Sequence, residues 1–554
     1  MIFNQFSQKI RNFYPVLIIF IGVVFYLPFL GSVHLFDWDE INFAEMAREM
    51  LITEDYFLAQ VNFQPFWEKP PFFFWLQVLA MKFFGINEFA ARLPNAIFGV
   101  LQLILLFYIG KKLKNADFGF LWALLFGTAF LPFLYFKSGI IDPVFNFFIF
   151  FSFYLFFEAY QSEKHGKILA FCAGLLNGIA ILIKGPVGFL LPFLSFFVLF
   201  LLKKIKFSKV FFLFFIFSLA AFSVASLWFL PEVFSRGTWF LFTFFEYQLE
   251  LLTQPVAGHA QPFYYHFIIV FLGCFPMSFY ALPTLFSNKK LIFSNPKEED
   301  LTFWFRILFW VVLLLFSLVK TKIAHYSSMT YAPLSFLAAF TIYQLWQEKK
   351  DLPKYLKFLW IFFGIICGIL FLTLALVIEY KTYLLPYIND VFARDCLATE
   401  VFISWEIILF SALFLFFFSI VIYFLIQKKW IYAVFFQAFL SGIFLLFYLK
   451  LLVPKVEAHS QGSAIEFYQS LKGQNVYVNT YGFKSYAQLF YFEKPYQNAE
   501  ILAKSNDFEV LLNQKMDRPV YFVTKSTNSY FDERIDFLLI QKKGGFKLYR
   551  KIED

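Results

Sequence analysis

Carboxylates standing just beyond the ends of apolar runs are the residues best placed to do chemistry in this chain. Asp37-Trp38-Asp39-Glu40 follows one such run, and Trp67-Glu68-Lys69-Pro70-Pro71 lies downstream of it. Ser138-Gly139-Ile140-Ile141-Asp142-Pro143 stands directly before another. An ionised group at the lip of a hydrocarbon layer is costly unless water, a cation or a partner satisfies it, so such groups are functional candidates by default. The chemistry open to them is proton transfer or cation binding. Each group also has a structural reading. Asp39 could be a first-turn charge favoured by a helix dipole. Asp142 before Pro143 could be an N-cap with proline at the first helical position. Lys69 beside two prolines could be a snorkelling interfacial lysine.

The elements that must hold these groups are membrane helices. Hydrophobic residues make up 60% of the 554 and charged ones 15%, with a mean hydropathy of +0.66. That excludes an ordinary soluble domain and implies a polytopic membrane protein. The 91 phenylalanines read as lipid-facing residues rather than a cofactor box. The net charge of +9 is not a nucleic-acid signal, because the basic residues cluster in short loops between apolar spans. That is a topology pattern. Cys172, Cys274 and Cys367 fall in apolar spans and Cys396 near a loop, with no CxxC pair or disulfide framework. Near the N-terminus, Lys9 and Arg11 precede a stretch from Asn12 to Phe36 with no Asp, Glu, Lys or Arg. It outruns a signal-peptide core of roughly 7 to 15 residues and lacks a small-residue cleavage site. We read it as a retained first helix with a cytoplasmic N-terminus.

A bilayer core needs roughly 20 apolar residues per helix. Thirteen candidate spans satisfy this: 14–34, 93–110, 117–136, 143–160, 168–183, 185–202, 210–230, 264–285, 303–319, 328–346, 357–378, 402–426 and 430–450. Basic residues at Lys111, Lys112 and Lys114, Lys164 and Lys167, and Lys203 to Lys209 then all fall inside. So do Lys289, Lys290, Lys297, Lys349, Lys350, Lys354, Lys357, Lys428 and Lys429, as the positive-inside rule requires. Long extracytoplasmic segments remain at 35–92, 231–263 and 379–401, followed by the tail. In the first, Phe43, Met46, Ala47, Met50 and Leu51 have helical spacing, which predicts an amphipathic helix on the membrane surface. Asp37 with Glu40 three residues later resembles a capping box.

The chain therefore divides into a transmembrane domain, 1–455, and a small extracytoplasmic α/β domain, 456–554. In the latter, strands are predicted at Val476–Val478, Val520–Val523 and Phe537–Ile540, with helices near 462–472, 483–491 and 506–515. Lys543-Gly544-Gly545-Phe546 reads as a hairpin turn. Neither a nucleotide-binding glycine motif nor a P-loop is present, so an activated substrate must drive any reaction.

At this level the motifs resemble a family. Asp39-Glu40, Ala44-Glu45, Arg48-Glu49-Met50, Glu68-Lys69-Pro70-Pro71 and Arg92-Leu93-Pro94 are similar, in order, to the polyprenol-phosphate-sugar-dependent glycosyltransferases of the GT-C class. The branch in view contains the aminoarabinose transferases of lipid A and bacterial protein-mannosyltransferase-like enzymes. Asp142, Lys184-Gly185-Pro186 and Lys320-Thr321-Lys322 … Tyr326 … Pro333 extend the resemblance, which covers about 14–345. It implies inverting transfer of a sugar from a polyprenyl phosphate to a lipid, glycan or protein acceptor at the outer face of the plasma membrane. An attacking acceptor oxygen needs a base. Asp39 is the candidate, with Asp142 sharing that role or orienting the acceptor, and Glu40 in reserve. The departing phosphate needs cations and donors. Lys69, His325, Tyr326, Lys320 and Lys322 are the candidates, although His325-Tyr326 could instead belong to an aromatic belt. No cofactor is obligatory. A divalent metal is a further option, because Glu68 and His259 resemble positions that bind one in some relatives, though two ligands fall short of the usual three or four. Asn42 stands where the aminoarabinose branch has arginine, and Gln261 where another basic residue is expected; both departures weaken phosphate contacts. The rival classes are a transporter or flippase of a lipid-linked substrate, a different lipid-linked glycan ligase or polymerase, and a non-catalytic partner subunit. A transporter predicts midplane charges and an internal repeat, neither of which is apparent.

Overall fold

Long apolar stretches bounded by Asn, Gly, Pro and lysine set the architecture of this chain. The structure is a computed structural model that describes residues 11–254, 260–286, 292–401, 405–497, 504 and 506–552. Lys289, Lys290 and His259 lie outside the described residues. Each of the thirteen apolar stretches contains helix. Among the described residues, eight helices are long and apolar enough to cross a bilayer, or nine when Tyr265–Gly273 and Met277–Phe286, bent by 118° at their break, are one span. Tyr14–Tyr26, Ala116–Gly127 and Val187–Leu201 are apolar and shorter, at 13, 12 and 15 residues.

Several helix starts follow from capping. The side chains of Asn87, Asn115 and Asn295 each accept the backbone N–H three residues on, starting Glu88–Leu113, Ala116–Gly127 and Pro296–Leu318. Burial separates two kinds of span. Tyr331–Gln347 is buried along most of its length, whereas Lys354–Glu379 has most of its apolar surface turned outward. Phenylalanine serves both. Phe211, Phe215 and Phe358 are exposed on spans, as expected of lipid-facing residues. Phe150, Phe153, Phe156, Phe196, Phe305 and Phe336 instead fill the bundle interior, with Phe153 and Phe196 stacked at 5.3 Å. The purely lipid-facing reading is thereby corrected: a planar ring packs well between helices, and this chain uses it there too.

The predicted surface helix forms at Asp39–Thr53, but it is buried on nearly every side, Glu40, Glu45, Arg48 and Glu49 included. It packs between Phe72–Phe84, an apolar helix inside the first long loop, and Ala487–Phe490 of the tail. The capping box is also corrected. Trp38 is the N-cap without a side-chain bond, Glu40 reaches back to the N–H of Phe36 at 2.9 Å, and the Asp37 carboxylate faces the N–H of Tyr486.

The tail folds as a four-stranded sheet with Gly462–Leu471, Ala487–Phe490 and Phe508–Asn513 beside it. Tyr477–Tyr481 pairs in parallel with Val520–Lys525, which pairs antiparallel with Phe546–Lys551, and that strand with Phe537–Lys543 at the edge. The hairpin at Gly544-Gly545 forms with both glycines at positive φ. Its second strand lay beyond the predicted set.

Candidate active site

Four stretches far apart in sequence meet around one cavity of about 670 Å³. The loop before and the first turn of Asp39–Thr53 bring Asp37, Trp38, Asp39 and Asn42; the loop before Phe72–Phe84 brings Glu68 and Lys69. The start of Asp142–Gln161 brings Asp142, and the 3-10 helix Ala324–Thr330 brings His325 and Tyr326. Lys184, Tyr135 and Tyr247 complete the wall, and the tail adds Lys484 and Tyr486.

Asp142 does not cap its helix: Ile141 is the N-cap, and no side-chain cap bond forms. The Asp142 carboxylate instead accepts from Lys184 Nζ at 2.5 Å, and its Oδ2 is a buried oxygen with no hydrogen-bond partner among the described residues. Lys184 ends the helix Gly166–Lys184, where a cation also suits the dipole. Gly185 follows at φ +76°, and a Cβ there would meet Phe244 Cζ at 2.7 Å. Only glycine allows the chain to turn so sharply and leave Lys184 aimed into the cavity. The Lys184 ammonium also lies over the Tyr326 ring, 4.7 Å from its centroid.

Asp39 and Asp142 come together across His325, whose Nε2 lies 3.5 Å from Asp39 Oδ2 and 3.6 Å from Asp142 Oδ2. That is closer than the roughly 10 Å that one substrate can bridge. Their environments differ: the Asp39 side chain is 40% exposed, that of Asp142 only 3%. Lys69 sits over the Tyr247 ring at 5.3 Å. Burial pushes its ammonium below the ordinary lysine value; Glu68 opposes this, Lys184 adds to it, and Asp39 and Asp142 oppose it. An arriving anion would relieve that destabilisation.

Glu40 has a different fate. Arg92 holds it with Nε at 3.0 Å and Nη2 at 2.8 Å, and the N–H groups of Phe36 and Gly139 donate to it as well. Burial alone would raise this carboxyl, but Arg92 and the two N–H donors outweigh it and hold the group below its usual value. Arg92 in turn donates to the carbonyls of Leu30, Val33 and His34. Asn95 donates to the carbonyls of Ser138 and Ile140, at 2.6 and 2.7 Å. This clamp fixes both loops that carry the cavity carboxylates. Asp37, by contrast, is pushed up to about 6 by burial, against the bonds it accepts from Ser485 and Tyr486.

Of the sequence candidates, Asp39, Glu40, Asp142, Glu68, Lys69, His325 and Tyr326 all line the cavity. Lys320 and Lys322 do not. Lys320 is exposed, and Lys322 folds back so that Nζ donates to the carbonyl of Val319 at 2.6 Å. Asn42 lines the cavity with a buried Oδ1 that lacks a hydrogen-bond partner among the described residues, and Gln261 stands outside it. Among the described residues no three His, Cys, Asp or Glu side chains are grouped to hold a metal. Glu68 alone is too small a donor set for one. Lys184 was legible as a span end and as part of the Lys184-Gly185-Pro186 motif of the resemblance, but not as the partner of Asp142. Lys484 and Tyr486 carried no sequence signal, since their place depends on how the tail docks.

With this geometry in hand, comparison with known proteins is informative. Residues 68–228 match the family described as dolichyl-phosphate-mannose-protein mannosyltransferase. The chain is 27% identical over 390 residues to an undecaprenyl phosphate-alpha-4-amino-4-deoxy-L-arabinose arabinosyl transferase of Wigglesworthia glossinidia brevipalpis, covering 69% of this chain and 67% of that protein. It is 26% identical over 400 residues to a transferase of the same description from Proteus mirabilis (strain HI4320), covering 72% and 71%. In fold it is similar to the crystal structure of ArnT from Cupriavidus metallidurans bound to undecaprenyl phosphate. The TM-score is 0.70 at 16% identity, over 97% of this chain and 98% of that one. The resemblance read from the motifs, to GT-C glycosyltransferases that use a polyprenol-phosphate sugar, is thereby borne out. Within that class the relatives named above are aminoarabinose transferases.

Proposed function

We propose that this chain is an inverting glycosyltransferase that moves a sugar from a polyprenyl phosphate to an acceptor hydroxyl at the outer face of the membrane. The observation that carries the reading is the single cavity where Asp39, Asp142, Lys69, Lys184 and Tyr326 converge. The acceptor oxygen attacks the anomeric carbon, the bond to the phosphate oxygen breaks, and the acceptor proton passes to Asp39. The negative charge left on the polyprenyl phosphate is met by Lys69 and by the Tyr326 hydroxyl. Asp142, pinned by Lys184, orients the acceptor. Glu40, saturated by four donors, positions the loops and takes no proton. The acceptor is a lipid, glycan or protein. The relatives' names support a pentose donor, while Asn42 and Gln261 argue for a sugar other than aminoarabinose.

The accompanying topology has thirteen crossings, a cytoplasmic N-terminus and an extracytoplasmic tail, so that the cavity opens outward. The test is to delete the gene and compare extractable lipids, surface glycans and glycoproteins by mass spectrometry. Purified protein in vesicles is then supplied with labelled polyprenyl-phosphate sugars. Loss of one sugar from one acceptor, with release of free polyprenyl phosphate in vitro, is expected. Passage of an intact lipid-linked sugar across the bilayer without that release would overturn the reading in favour of a flippase.

A further inference from the structure

We propose that His325 is a positioning residue whose Nε2 edge stands between the Asp39 and Asp142 carboxylates and holds both aimed into the cavity. The proposal rests on the transferase reading above and reassigns His325 from the phosphate to the carboxylates.

One ring nitrogen, Nε2, faces Oδ2 of both Asp39 and Asp142. The lone pairs of two carboxylates cannot both point at a lone pair, so Nε2 carries a hydrogen between them. Asp142 has already spent Oδ1 on Lys184, and its other oxygen is the buried atom whose hydrogen-bonding is unsatisfied. The imidazole Nε2 lies 3.6 Å from it. Like charges at this spacing push one of two carboxyls toward its protonated form, which would remove a base at neutral pH. An N–H between them opposes that repulsion.

The setting fixes the ring. His325 lies edge-on to Tyr326 at 5.2 Å and to Tyr135 at 6.4 Å. Ser328 Oγ donates to the His325 carbonyl at 2.5 Å, locking the short helix that carries it. The titratable and charged groups facing this centre are Asp39 from Asp39–Thr53 and Asp142 from Asp142–Gln161. Lys184 stands behind Asp142, Lys69 lies within electrostatic reach of both carboxylates, and His266 of Tyr265–Gly273 is the neighbouring imidazole. A phosphate brought to Nε2 would meet two carboxylates, so the same geometry disfavours His325 as a phosphate ligand.

The test compares His325→Ala and His325→Gln with the unaltered protein, after thermal melts establish that each variant is folded. In His325→Ala the acidic limb of kcat/KM is expected to move up by about one pH unit. Rates fall roughly tenfold below the limb and recover above it. His325→Gln keeps an N–H donor and should restore at least half of that shift. The second measurement needs no turnover: infrared difference spectra follow the C=O stretch of protonated carboxyls through a pH titration, with Asp39→Asn to assign the band. It should appear at higher pH in His325→Ala than in the unaltered protein. A rate loss equal at every pH, or an unmoved infrared titration, overturns the proposal. If no polyprenyl-phosphate sugar is turned over by the unaltered protein, the transferase reading fails, and the infrared titration still decides the role of His325.

Discussion

Asp39 and Glu40 are consecutive residues of one helix, yet they face regions of opposite character. On the Glu40 side, a buried carboxylate meets Arg92 in a two-point fork, two backbone N–H groups close the remaining positions, and Arg92 donates onward to three carbonyls. On the Asp39 side, the carboxylate is partly open to a cavity and, among the described residues, meets the His325 ring at 3.5 Å. Nearby Asp142 keeps one buried oxygen without a hydrogen-bond partner among the described residues. A saturated ion pair of this kind holds geometry, since losing either partner strands the other charge. An under-satisfied carboxylate retains lone pairs that an incoming hydroxyl can use. The difference teaches that reactivity here is a matter of how few donors each carboxylate has been given, not of the residue type.

Three substitutions test this division, in order of expected effect. Asp39→Asn keeps the side chain's size and removes the base, so turnover should fall by about 10² to 10⁴ while the protein still binds its lipid donor. Single-turnover kinetics with separately measured donor binding checks it; retained turnover at saturating donor would move the base elsewhere. Arg92→Leu leaves Glu40 buried and unpaired, at a cost of about 3 to 5 kcal/mol in stability. A large drop in thermal midpoint in detergent is expected, and an unchanged midpoint would show that the clamp is not needed for folding. Lys69→Ala removes a charge-assisted contact to phosphate and should weaken donor binding by roughly 1.5 to 3 kcal/mol. Titration with a sugar-free polyprenyl phosphate reads this directly. Equal affinity in both proteins would take Lys69 out of the phosphate site.

The parts legible in the sequence were those written in local signals. Apolar length located helix in all thirteen stretches, because burying or solvating such runs otherwise is prohibitive. Carboxylates at span ends pointed to Asp39 and Asp142 for the same reason. What escaped depended on contacts distant in sequence. Lys184 acquires its role from Asp142, 42 residues away. Lys484 enters the cavity only because Trp38 Nε1 donates to its carbonyl at 3.1 Å and Tyr486 meets Asp37. Phe43 and Met46 showed the period of an amphipathic helix, yet the charged residues of that helix are buried as well. Arg48 forks onto Glu45 at 2.7 Å and donates to the carbonyl of Lys494, a partner no local pattern could supply.

That docking has a consequence for the order in which the protein is made. The loop and helix bearing Asp39 are held by Gln461, which bonds to Leu35 and Asp37, by the Tyr491 hydroxyl on Leu35, and by the carbonyl of Lys494 on Arg48. All of these partners leave the ribosome some four hundred residues after the helix itself. Until then Arg48 and the Asp37 loop lack these partners, and the cavity lacks the wall formed by Lys484 and Tyr486. A chain truncated before Gln461 therefore holds Asp39 in an unfinished site, and the cavity closes only after residues 461–494 have been made and have docked.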